Sequence, residues 1–431
     1  MLARLLPLLA LLTACEAPEG DDPVDDGRTV VTQDIDVDTV WTADREWVLD
    51  GWIHVTNGAR LLIEPGTRVL GLERSALVST RGAFIEASGR PDAPIVFTSA
   101  LPEGERYRGA WGGVSLLGSA PVNDRGKLEG QISDDPRLEY GGDDERYACG
   151  KLEYVRIEFA GYEATLDNEL NALTLAGCGS GTIVRNVQTH RTLDDGIEVF
   201  GGTVHMSHLL ITDPGDDGLD WQGGWVGSAQ FVIVHLGDDE GDNALEGDNN
   251  ADAPAAVPTS SPNLFNFTLV GRADARRAHR GVLFRNGTNG LFANFLATGF
   301  TLELMDIIGT VSAGHAETGT LWMANGVAWN VGIDGAMVTD DSFDDDDEGF
   351  DETSWIKEAS KSNAIGTYGG LATTLEAGAP DYVPNEAASE GREFFLVPDD
   401  EHLDQSARFL GAVAPWEDTP FYEGWTAFPE N

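Results

Sequence analysis

Aspartate pairs repeated at a fixed step are the residues of this chain best placed to do chemistry. Asp194-Asp195-Gly196, Asp216-Asp217-Gly218 and Asp238-Asp239 each begin 22 residues after the pair before. Glu198 and Asp220 keep the same step, as do their apolar neighbours Ile197 and Leu219. Carboxylates aligned in this way can hold calcium, a hard cation that takes about six to eight oxygens. They can also work in pairs on a glycosidic bond, at roughly 5–5.5 Å for retention or about 6.5–9.5 Å for inversion. Or they can do no chemistry, because Asp-Gly is ordinary turn composition.

For a cation the candidate ligands are Asp195, Glu198, Asp217, Asp220, Asp239 and Asp242. If equivalent residues stack at the ~4.8 Å spacing of adjacent strands, neighbouring charges repel by roughly 3.5 kcal/mol at an effective dielectric of about 20, and by about 0.9 kcal/mol in bulk water. An exposed column tolerates that; a part-buried one requires a proton, a basic partner or a cation. The catalytic candidates are Asp216, Asp217 and Asp239 with Arg191, and His190 and Arg285 are the other basic groups near them in sequence. Trp221 and Trp225 beside the second acidic turn, with Phe200 one coil earlier, could offer rings to a sugar. His205 and His208 are three apart on a strand, which puts them on opposite faces and argues against a shared metal.

The segments between the acidic turns, residues 182–189, 203–212 and 225–235, are short and rich in Val, Ile, Thr and Phe. A repeat of about 22 residues built from strands without a helix predicts a parallel β-helix, in which each coil buries its apolar face on the next. Earlier rungs are expected at 59–67, 94–99 and 111–118, and later ones at 261–270, 280–287 and 290–298. Residues 119–148, polar and rich in Asp, Gly and Arg, read as a loop insertion. The predicted organisation is all-β: a solenoid over 29–338, then an acidic loop and a C-terminal segment over 339–431 that packs on or caps it.

Residues 1–15 read as a lipoprotein signal peptide. Arg4 supplies the positive end, the apolar run 5–12 is too short to span a bilayer, and Leu12-Thr13-Ala14-Cys15 fits a lipobox that would make Cys15 the lipidated residue. Residues 16–28, rich in Asp, Glu, Pro and Gly, are expected to form a disordered acidic tether. In an exported chain Cys149 and Cys178 form a candidate disulfide, with a pair of free buried thiols as the alternative. The net charge of −46, from 73 acidic and 27 basic residues, argues against nucleic acid and anionic lipid headgroups as partners. A content of 41% hydrophobic residues, with 11 Trp and 18 Phe, excludes a wholly disordered acidic protein.

Residues 58–71, 111–118 and 194–231, the run Asn243-Ala244-Leu245-Glu246-Gly247-Asp248, and Phe409-Leu410-Gly411-Ala412-Val413 with Gly424-Trp425-Thr426 together resemble bacterial secreted right-handed parallel β-helix proteins of the pectate-lyase-like superfamily, and a set of β-helix lipoproteins within it. The resemblance implies a right-handed solenoid. Gly215-Asp216-Asp217 and Gly237-Asp238-Asp239 look similar to the Gly-Asp-Asp turn of polygalacturonases, but the Asn-Thr-Asp, Gly-His-Gly and Arg-Ile-Lys motifs are absent, as is the Arg-x-Pro-x-x-Arg pattern of pectate lyases. The expected function is therefore a calcium-stabilised, lipid-anchored envelope protein that binds a polysaccharide or a cell-surface protein. The alternative is a calcium-dependent polysaccharide lyase or glycoside hydrolase working through the acidic face. Glu16 stands after Cys15 where an aspartate would favour inner-membrane retention, which favours the outer membrane.

Overall fold

The computed structural model describes residues 27–124, 126–130, 134–165, 168–272, 274–332, 347–368, 370–371 and 380–431. Two long sheets run along the molecule, one of 16 strands and one of nine, and every strand pair within them is parallel. The chain alternates between them. Ile183–His190 lies in the first sheet, Ile197–Phe200 in the second, His205–Thr212 back in the first, then Leu219–Gln222 in the second, Ser228–His235 in the first and Asn243–Gly247 in the second. In register, Ile183 pairs with His205 and His205 with Ser228, while Ile197 pairs with Leu219 and Leu219 with Leu245. The molecule is a parallel β-helix.

Side-chain alternation explains why these segments stack. Ile197, Val199, Leu219, Trp221 and Leu245 point inward from the second sheet to meet Val187, Leu209, Ile211, Val232 and Val234 from the first. On the second sheet, Glu198, Asp220 and Glu246 fall between those apolar positions and therefore face outward. Each long strand of the first sheet bends at one residue: Tyr154, Asn186, His208, Phe231, Asn266 and Asn294 have φ between 50 and 62°. Left-handed backbone is costly for residues with a side chain and least so for asparagine, which occupies three of these six positions. The bend lets one strand cover two faces of the coil.

Two additions wrap the solenoid. The 119–148 insertion packs on the outer face of the second sheet, with Leu128, Leu138 and Tyr140 against Val78, Leu117, Ala176 and Phe200. Where the chain leaves the insertion, Cys149 is joined to Cys178 by a disulfide with a Cα–Cα distance of 5.5 Å. The C-terminal stretch 380–431 lies along the outer face of the first sheet. Tyr382, Val413 and Tyr422 cover Leu210, Ile233 and Val270, and Phe409 stacks on Phe231. Amide side chains of alternate rungs hold it: Gln188 bonds both backbone groups of Ala427, Gln230 those of Asp404, and Asn294 those of Phe395. The segment therefore packs along the solenoid side.

Parallel pairing runs past residue 338, the predicted end of the solenoid, to Ala364–Ile365 on Val327–Trp329. Before that point a helix, Thr310–Thr318, interrupts the strands and packs on the next strand, Leu321–Ala324. The signal peptide with Cys15, nearly all of the expected tether, and the acidic run from 339 to 346 lie outside the described residues. Among the described residues no helix is long and apolar enough to cross a membrane.

Candidate metal centre: a buried carboxylate ladder

The acidic turns connect the first sheet to the second, and parallel register sets their side chains in columns. Counting back two residues from the paired Leu173, Ile197, Leu219 and Leu245 gives Asn171, Asp195, Asp217 and Asn243. Counting forward one gives Thr174, Glu198, Asp220 and Glu246. The first column is wired to the main chain. The Asp217 amide donates to Asp195 Oδ1 at 2.9 Å, and the Asn243 amide donates to Asp217 Oδ1 at 2.6 Å. Rungs are crossed by side chains too: Asn171 Nδ2 donates to Glu198 Oε2 at 2.5 Å, Gln222 Nε2 to Glu198 Oε1 at 2.9 Å, and Asn243 Nδ2 to Asp217 Oδ1 at 3.0 Å. Gly218 allows this closeness, since a Cβ there would come within 2.5 Å of the Ala244 carbonyl oxygen.

These carboxyls are buried. Asp195, Glu198 and Asp217 are 6%, 3% and 4% exposed, so the charged forms are starved of water. Burial, with Asp194 and other neighbouring acids adding to it, holds Asp195 well above the ordinary carboxylate range. Glu198 is raised in the same way, with Glu129 of the insertion as its foremost acidic neighbour. Asp217 and Asp220 are raised by burial and then by Glu246. Burial pushes Asp194 up to about 8, and Glu246 up to about 7 despite the opposing Arg285 guanidinium. Arg285 pairs with Glu246 and, at 2.9 Å, with Asp248; Arg277 reaches Asp216 at 3.9 Å. Two arginines against so many carboxyls leave the balance to protons or a cation.

Two oxygen clusters could take a cation. Asp195, Glu198 and Asp220 each offer an oxygen within 4.8 Å of the others, and so do Asp194, Asp195 and Asp216, with Asp195 common to both. The side-chain oxygens of Asn171 and Asn243, at the two ends of the Asp195–Asp217 column, are buried without a hydrogen-bond donor among the described residues. Hard oxygen donors, carboxylate and amide together, are what calcium selects.

The other sequence-predicted residues lie elsewhere. Four extra residues before Leu245 change the register, so Asp242, not Asp238, stacks on Asp216, and its amide donates to the Asp216 carbonyl at 2.9 Å. Asp239 is thereby diverted from the ladder into an outer loop, where it faces Arg276 at 3.3 Å and Arg108 at 3.6 Å. Arg191 is tied to Asp213 at 2.8 Å, and His190 is buried against Thr212 and the Pro429 carbonyl. Trp221 and Trp225 do not offer rings to a sugar: both are 0% exposed, because their positions in the alternation point into the solenoid. Sequence reading missed Asn171, Asn243, Glu246 and Glu129. The first three carry a signal, since Asn171-Ala172-Leu173-Thr174 and Asn243-Ala244-Leu245-Glu246 are variants of Asp217-Gly218-Leu219-Asp220, while Glu129 arrives only through the packing of the insertion.

Comparison with known proteins gives one finding. Residues 32–372 match the family model described as a pectate-lyase like beta helix domain. No curated protein and no solved structure matches the chain.

Proposed function

The chain belongs to the pectate-lyase-like β-helix family, whose domain points to carbohydrate-related function, and from that premise we propose that it binds carbohydrate at the cell envelope without cleaving it. One observation carries the choice of binding over cleavage. The ladder carboxyls are built into the wall: Asp195 and Asp217 accept main-chain amides of the next rung, Glu198 accepts from Asn171 and Gln222, and Tyr140 of the insertion packs on Phe200 beside them, while the more exposed candidates Asp216 and Asp239 are faced by Arg277 at 3.9 Å and by Arg276 at 3.3 Å. A hydrolase needs two carboxyls on either side of a sugar bond, one protonated and one ionised. Groups 3–6% exposed, all held toward protonation by the same burial, do not supply that division of labour.

Calcium in the ladder is part of the proposal. Asp195, Glu198 and Asp220 would ligate it, and it would replace protons as the neutralising charge, joining two successive rungs to one ion. Anchoring through Cys15 at the outer membrane completes the reading, supported by the apolar run 5–12 and the lipobox-like Leu12-Thr13-Ala14-Cys15. The test is a calorimetric titration of chelator-treated protein with calcium chloride, beside saccharide turnover assays. Calcium binding with a higher melting temperature, and no turnover of acidic or neutral polysaccharides, is the expected result; at 100-fold excess over Kd the ion would add about 2.7 kcal/mol. Turnover that disappears in Asp217→Asn would overturn the binding reading, and absence of both heat and thermal shift would remove calcium.

A further inference from the structure

A second concave site lies where the turns leaving the first sheet meet the C-terminal segment. It is a cleft of about 460 Å³, in the size range of small-ligand pockets. Its polar wall is a set of arginine–aspartate pairs on successive rungs: Arg191 with Asp213 at 2.8 Å, and Arg276 with Asp238 at 3.2 Å and Asp239 at 3.3 Å. Arg272, held by Asp274 at 2.9 Å, closes one end, and Phe428 supplies an apolar wall, fixed edge-on to His190 at 5.9 Å. Gly237 sits so close to Asp213 that a Cβ would fall 1.8 Å from Asp213 Oδ1, so the wall is rigidly packed at that point.

We infer that this cleft binds a neutral oligosaccharide, as the ligand site of the carbohydrate-binding reading on which the inference rests. On a chain of net charge −46, the cleft is close to charge balance, because each guanidinium in it is paired with a carboxylate. Paired arginine and aspartate side chains present planar donors and acceptors at fixed angles, and a sugar hydroxyl both donates and accepts. A polyanion would meet Asp238, Asp239 and Glu430 after crossing the field of the whole acidic surface; a polycation would have to displace arginines already engaged. An uncharged polyhydroxyl ligand avoids both costs and can lay its C–H face on Phe428. The ladder's deficit of bases marks it as a different kind of site.

Isothermal titration of the calcium-loaded protein against neutral gluco-, xylo- and manno-oligosaccharides, with oligogalacturonate and chitosan oligomers in parallel, tests this. Arg276 and Asp239 have side chains 70% and 49% exposed, so Arg276→Ala and Asp239→Ala should fold normally. The expected result is binding of a neutral oligosaccharide that weakens at least tenfold in both variants and is unchanged in Arg90→Ala, an exposed arginine that the cleft does not use. Saccharide binding that ignores both cleft variants, or that selects the charged oligomers, would overturn the cleft assignment while leaving carbohydrate binding intact. Failure of every saccharide to bind would overturn both.

Discussion

Replacing Asp194 by asparagine isolates the electrostatic cost of the ladder. Asp194 lies at its solvent edge, is raised to about 8 by burial and then by Glu129 and Asp216, and would titrate near 3.8 when unfolded. A raised acid stabilises the folded protein at low pH, because the native state keeps a proton that the unfolded chain releases; that stability is lost as pH rises through the folded value. Between pH 6 and 8 the native proton comes off while the unfolded group is already ionised. Integration over that interval gives a loss of about 2 kcal/mol from this one group. Comparing wild type with Asp194→Asn isolates this group together with the repulsion it exerts on Asp195 and Glu198, so the variant should gain about 2 kcal/mol on the wild type across that range. At about 2.1 cal/mol/K per residue, unfolding the roughly 400 residues after the expected tether carries about 0.85 kcal/mol/K, so the gap in Tm should shift by about 2–3 °C. Scanning calorimetry in chelator at pH 6, 7 and 8 would show it, and excess calcium, which would neutralise Asp195, Glu198 and Asp220 beside Asp194, should narrow the gap. A Tm difference that stays constant with pH, or moves toward the wild type in chelator, would refute a protonated ladder.

Histidines should act with the opposite sign on the C-terminal segment. Burial holds His190, His205 and His208 down to about 4, and they touch Phe428, His402 and Phe421 of that segment. Their contribution is full above about 6.5 and is lost as pH falls toward 4, so hydrogen exchange, corrected for intrinsic rates, should show 380–431 loosening in acid before the solenoid does. Breaking the disulfide with Cys149→Ser opens a loop of 29 residues and should cost about 3.5 kcal/mol by the loop-entropy relation, read as a fall in denaturation midpoint that matches reduction of the wild type. Trp221→Ala should cost about 3–5 kcal/mol by emptying the solenoid interior, and Trp221→Phe should leave saccharide titrations unchanged, because the ring is core.

The periodic part of the molecule is legible from the chain alone. Steps of 22 residues between Ile197 and Leu219 and between Glu198 and Asp220 are also the observed strand register, because a coil closed by short turns has nearly constant length. The acidic columns at Asp195–Asp217 and Glu198–Asp220 were legible for the same reason, and so was the Cys149–Cys178 pair as a candidate. Legibility failed wherever chain length and spatial register parted. A turn lengthened by four residues sent Asp239 to the arginines and put Asn243 and Glu246 into the ladder, although Asp238-Asp239 keeps the numerical step. Tertiary structure alone decided burial. Trp221 and Asp220 are adjacent in the chain, yet strand alternation sends the ring into the solenoid and the carboxyl to the outer face. Glu129 then reaches that face from an insertion about 90 residues away in sequence. Covered by that insertion, a row of ordinary acids becomes a row held toward protonation, because the charge of a carboxylate is stable only where water, a base or a cation can reach it.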